Sequence, residues 1–320
     1  MIIRTVLGDL EANCLDYCQC HEHLFILSRQ SKLINPLLCI DSYDKTYEEV
    51  RDYHNNGGNW IVDAQPVGCG RDSKKLERLS QATGVHIIAS TGFHKLIFYG
   101  KNHWIHNISK SGFAELMLSE INTGMYENSE VEFSSLQTTS RAGMIKTAID
   151  EKGIDSRYEK LLSAAAEVSI KTGTPIQCHI ENAETADELI SYLKDCGVKA
   201  NHIILAHMDR CIDHKQYAIN ALKQGVYLQC DTIARYKYHS NEAEAKWLGD
   251  LCELGYDKQI LLGLDTTRAR MKSYGGKVGL SFILLEFSDI LKENGINEET
   301  IKQFVRYNPQ NALSIKSEGE

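Results

Sequence analysis

Short apolar runs alternate along this chain with stretches whose apolar positions recur every three to four residues. Eight runs have strand character, at 16–21, 60–63, 86–90, 143–147, 175–179, 203–207, 226–230 and 260–264. Each is short, rich in Val, Ile, Leu, Cys or aromatic residues, and bounded by polar or glycine-containing segments. Between the fifth and sixth runs, TADELISYLKDCG sets Leu189, Leu193 and Cys196 on one helical face, with Thr185 and Glu188 as a capping box and Gly197 as the stop. Before the fifth run, RYEKLLSAAAEVSIKTG repeats the pattern with Leu161, Ala165 and Val168 and ends at Gly173. Strands alternating with crossover helices predict an α/β fold, a (β/α)8 TIM barrel, with functional groups at the carboxyl ends of the strands. An open doubly wound sheet would need a glycine-rich phosphate loop after an early strand, and the chain has no GxGxxG or Walker sequence. Two connections, 25–59 and 96–141, are too long to be simple turns and are expected to wall a pocket. No linker-like break divides the 320 residues, so residues 1–320 are read as a single domain, with disorder expected only in the tail from Lys316 to Glu320.

The strand ends carry metal-ligand residue types. In the segment from Leu15 to His23, alternation sends His21 and His23 to one side and Cys18, Cys20 and Glu22 to the other, so one strand offers two imidazoles to one ion. The fourth run holds Lys146, PIQCH ends in His179, IILAH ends in His207, and Asp265 follows QILLGL. Residues this far apart in sequence meet only if their strands are parallel and adjacent, and together they read as a binuclear metal centre. Asp63 and Asp209 are expected to serve as hydrogen-bonding groups, and Arg71 and Asp72 to stabilise the loop after the second strand. His103 and His106, in the second long connection, are read as loop histidines.

Composition narrows the partners. An apolar fraction of 42% and a charged fraction of 24% fit a soluble globular protein. A net charge of −8 argues against nucleic acid and leaves room for a small anionic substrate where positive charge is local. The opening MIIRTVLGDLE is too short in apolar residues for a secretory signal, and no stretch approaches membrane-spanning length, which predicts a cytoplasmic protein with no membrane partner. The ten cysteines are scattered without a CxxC pair, so they are expected to be reduced packing residues.

In order along the chain, HEH, GMIK, QCHIE, LAHMD and GLD, together with IVDAQPVGCGRD and the run ASTGFH ending at His94, resemble the phosphotriesterase-like branch of the amidohydrolase superfamily. The resemblance spans nearly the whole chain. It implies that His21, His23 and Asp265 hold a more buried divalent ion, that His179 and His207 hold a more exposed one, and that Lys146 bridges both as a carbamate. Some relatives place a glutamate at that position. The carbamate requires a neutral amine, which burial beside cations favours. Zinc suits these ligands, with manganese or cobalt tolerated. Two ions sharing a water lower its pKa, and Asp265 would take its proton and pass it to the leaving group.

The metal ligands do not choose the substrate. Arg235 and Lys237 follow the seventh strand and Arg268 follows the eighth, at the usual phosphate-binding address of a barrel. The resemblance is closest to lactonases that act on phosphorylated sugar lactones. Lys237, Arg268, Arg235 and the Tyr99 hydroxyl are therefore the expected phosphate contacts, and opening of a pentono-1,4-lactone 5-phosphate is the expected reaction. A phosphotriesterase or other ester hydrolase is the second reading, and a non-catalytic metal-binding barrel the third. The family leaves room for a homodimer.

Overall fold

The computed structural model describes residues 1–315; the expectation for the tail lies outside them. Eight parallel strands follow one another in chain order: β1 (Cys18–Glu22), β2 (Trp60–Asp63), β3 (His86–Gly92), β4 (Met144–Ala148), β5 (Ile176–His179), β6 (Ile203–Ala206), β7 (Tyr227–Cys230) and β8 (Ile260–Leu262). The seam between β8 and β1 is closed just above the ladder, where the Asp265 amide donates to the His21 carbonyl at 2.9 Å and the Leu264 amide donates to Glu22 Oε1 at 2.8 Å. The seam is tight: a Cβ on Gly263 would sit 2.9 Å from the His21 nitrogen. The chain therefore forms the predicted (β/α)8 barrel.

Alternation within the strands separates two apolar layers. Residues such as Trp60, Val62, Ile88, Met144 and Leu261 fill the barrel interior, while Ile61, Ile87, Ile145, Leu205 and Leu228 face outward onto the helices. Along β4 the inward face changes character within one period, from Met144 in the apolar floor to Lys146 at the polar top. An amino-terminal hairpin, Ile2–Thr5 with Gly8–Glu11, contributes Ile3 to that floor; the strand pattern above did not include it.

The first strand departs from simple alternation. Cys18 pairs with Trp60 and Gln19 with Ile61, but Glu22 pairs with Asp63, so β1 carries one extra residue there. This bulge lets Cys20 pack in the interior floor while His21, the next residue, also turns inward. The expected assignment of His21 and the cysteines to opposite sides is thus corrected.

Both long connections contain helices: α1 (Tyr43–Asn55) in the first and, after α2 (Ser73–Thr83), α3 (Lys110–Asn122) in the second. The next crossovers are α4 (Ser156–Thr172) and α5 (Ala186–Asp195). α4 ends as predicted, with Gly173 in the left-handed region at φ 69°. α5 starts differently. Thr185 makes no capping bond; the preceding turn begins at Asn182, whose side chain accepts from the Glu184 amide at 3.0 Å, while the Thr185 hydroxyl donates to the Asn182 carbonyl at 2.7 Å. The turn supplies an earlier exposed amide, and the better capping residue takes it. The remaining crossovers are α6 (Lys215–Lys223) and α7 (Asn241–Glu253). All ten cysteines are free, and no described helix is long and apolar enough to cross a membrane.

Candidate metal centre

The ligand set expected from sequence converges above the carboxyl ends of the strands. His23 Nε2 lies 3.3 Å from Asp265 Oδ1, and His21 Nε2 lies 3.7 Å from the same oxygen. Lys146 Nζ is 3.2 Å from His21 Nε2 and donates to Gln177 Oε1 at 3.0 Å. The rings of His179 and His207 meet edge to face with centroids 4.4 Å apart. Two of these residues leave their strands in left-handed backbone, His207 at φ 67° and Asp265 at φ 47°. Such conformations cost about 1–3 kcal/mol each in non-glycine residues and concentrate where function holds them.

Carboxylates set the imidazoles. Asp231, the residue after β7, is fully buried, and its two oxygens reach His207 Nδ1 at 2.5 Å and His21 Nδ1 at 2.7 Å. Burial opposes the charge of Asp231, yet the two histidines hold its carboxyl far below the usual range. Burial in turn pushes His207 down to about 3, and burial with the charge of Lys146 pushes His21 down to about 4. Both rings are neutral at pH 7, with the proton on Nδ1 toward Asp231 and an unprotonated Nε2 toward the centre. Glu181 does the same for His179, with Oε1 3.0 Å from Nε2, which leaves Nδ1 unprotonated.

This arrangement is the test of fit for divalent cations. His179 Nδ1 and His207 Nε2 lie 2.7 Å apart. With both protons directed elsewhere, two lone pairs face each other, and a cation relieves that repulsion. Lys146, fully buried, is lowered to about 8, chiefly by burial. Imidazole nitrogens, one carboxylate and an amine of reduced basicity match what a zinc-type centre requires, with its outer hydrogen bonds already in place.

A cavity of about 120 Å3 opens over these residues, lined in part by His23, His94, His179 and Asp265. Ile26, Ser31 and Leu38 from the first insertion and Phe98 from the second complete its wall, as expected of the long connections. Lys95 and Arg235 also line it. Arg235 Nη2 donates to Asp265 Oδ2 at 2.7 Å, and Lys95 pairs with Glu181, which also receives Arg210 Nη1 at 3.3 Å.

Three of the four expected phosphate contacts lie away from the cavity. Tyr99 is buried, and its hydroxyl accepts from the His94 amide at 2.9 Å, a bond that satisfies an otherwise buried donor. Lys237 is exposed and lies over the Tyr238 ring at 4.5 Å. Arg268 turns away to the Cys39 carbonyl at 3.2 Å and Asp41 Oδ1 at 3.3 Å. None of the three lines the cavity; Arg235 does. The supporting expectations fare better. Asp63 accepts from the Leu24 and Gln65 amides, each at 2.9 Å, Asp209 accepts from the Thr232 amide at 2.6 Å, and Asp72 caps α2. Arg71 forms a two-point pair with Glu120, His103 caps a turn, and His106 bonds Gly100.

Sequence reading passed over Asp231, Lys95, Glu181 and Arg210. The signal for Asp231 was present, since it stands at the end of the seventh strand, where the other functional groups were sought.

The profile of the phosphotriesterase family matches residues 1–313. A phospho-furanose lactonase of Mycoplasmopsis agalactiae is 30% identical over 98% of this chain and 91% of its own length. The crystal structure of an amidohydrolase from Mycoplasma synoviae superposes with a TM-score of 0.94 at 28% identity, covering 99% of this chain and 92% of that one. A lactonase from Listeria monocytogenes follows at 0.90 and 27%, covering 99% and 100%.

Proposed function

This chain belongs to the phosphotriesterase family, and from that premise we propose that it is a metal-dependent lactonase acting on a sugar lactone that carries a phosphate. The observation that carries the reading is the pairing of a convergent ligand set with two cations, Lys95 and Arg235, on the walls of the same cavity. The names of the relatives support the lactone, and a neutral triester gives no reason for fixed cations beside the ligands.

His21, His23 and Asp265 would hold one divalent cation, His179 and His207 a second, and Lys146, as a carbamate, would bridge them. Bound cations of zinc type supply Lewis acidity and a water that ionises near neutral pH. Asp265 is the proton carrier. Burial raises its carboxyl, but the Arg235 charge and the His23 contact outweigh burial and hold it well below the usual range. It is therefore ionised at pH 7 and able to accept a proton from the attacking water. As the ring C–O bond breaks, Asp265 returns that proton to the departing alkoxide, which leaves a hydroxy acid. Arg235 and Lys95 receive the phosphate oxygens, with Glu181 and Arg210 fixing where Lys95 sits.

Lys95→Met tests the assignment. It is expected to raise KM for the phosphorylated lactone by about 10–100-fold, the worth of one charge-assisted hydrogen bond, while the plain lactone changes little. Equal losses on both substrates would remove Lys95 from phosphate recognition.

A further inference from the structure

We propose that Asp209, His239 and Glu244 form an additional cation site, distinct from the centre above, which takes a divalent ion of zinc or manganese type as a structural clamp. Ligand atoms of the three residues all lie within 4.8 Å of one another. They come from three elements: Asp209 follows β6, His239 ends the loop after β7, and Glu244 stands in the first turn of α7.

The two carboxylates are 0% exposed. One oxygen of Asp209 accepts from the Thr232 amide at 2.6 Å; its other oxygen and both oxygens of Glu244 accept no hydrogen bond among the described residues. His239, 9% exposed, has Nδ1 3.2 Å from the Ser240 carbonyl and 3.6 Å from Glu244 Oε2, and Nε2 3.1 Å from the Thr232 hydroxyl. Arg270 feels the charge of Glu244 but bonds the Leu264 and Ile233 carbonyls instead.

An ionised carboxylate buried without a partner costs several kcal/mol, and here two face each other. Asp209 and Glu244 stand side by side, and three of their four oxygens accept no bond from a fixed donor among the described residues, so the pair, when ionised, needs a counter-charge. A single shared proton would neutralise one carboxyl and leave the remaining Glu244 oxygen unbonded. One divalent cation would instead satisfy both carboxylates and the imidazole together, with the mixed nitrogen and oxygen donors that suit zinc or manganese. The clamp would tie the loop that carries Arg235 to β6 and α7.

The test is diffraction from the metal-loaded protein at the absorption edge of the added metal, with ion content measured on dialysed wild type, Glu244→Gln and His239→Gln. The proposal predicts an anomalous peak among the three side chains, three ions per chain in the wild type and two in either variant. The absence of that peak, with the Asp209 and Glu244 oxygens in direct contact, would establish a shared proton and overturn it. Loading of the other centre is read from its own peaks, so its failure stays distinguishable. The wild-type map decides the matter even where a variant does not fold.

Discussion

Each oxygen of Asp231 holds one imidazole, so this side chain fixes the proton position on both His21 and His207. Asp231→Asn can accept only one of the two Nδ1 protons and presents a donor to the other ring. The expected result is a roughly 10–100-fold loss of metal affinity by chelator competition, with the fold intact by circular dichroism. Unchanged affinity would mean that the rings are held by packing alone. Lys146 gives the pH dependence. Its amine is lowered by burial to about 8, and the neutral form that adds carbon dioxide grows as pH rises toward that value. Carbamate formation in the metal-free protein, followed by carbon-13 signal, should therefore rise about tenfold per unit below pH 8 and level off above it, whereas an ordinary lysine would keep gaining to about pH 10.4. The convergence of the six candidate ligands was legible because each is a metal-binding type of side chain at the same address on its strand. The placement of Arg268 and Lys237 was not legible, because loop side chains answer to local contacts, here Asp41 and the Tyr238 ring, that no strand pattern announces.

Among elements, α3 shows how an insertion is made part of the barrel. Arg71, in the loop after β2, donates two bonds to Glu120 of α3, at 2.6 and 2.9 Å, and a third to the Ser90 carbonyl of β3 at 2.8 Å. The pair is buried, so Glu120→Ala strands a guanidinium charge. A stability loss of about 3–5 kcal/mol is expected in denaturant melts, larger than that of a double replacement by apolar residues; a loss no greater than the double's would mean that water solvates Arg71. The eight strands were legible from the sequence to within about two residues. Both insertion helices were not, because the segments were judged by length, although Ser42 and Ser109 now cap α1 and α3. The β1 bulge was also hidden, since a one-residue register shift leaves no mark on composition.

For the whole molecule, charge distribution matters more than total charge. The chain carries −8 overall, yet Lys95 and Arg235 line the cavity and Arg210 stands behind them on Glu181. The two cations face the carboxylates of Glu181 and Asp265 across the same cavity, so positive charge is local to its wall, which suits a small anion and no polyanion. The most direct test of the account is proton release during hydrolysis of a pentono-1,4-lactone with and without its 5-phosphate, by protein loaded with zinc or manganese in the presence of bicarbonate. The account predicts kcat/KM at least about 100-fold higher for the phosphorylated lactone, equivalent to ~3 kcal/mol of recognition by the cations. Equal rates on the two lactones, or faster turnover of a neutral phosphotriester, would contradict it.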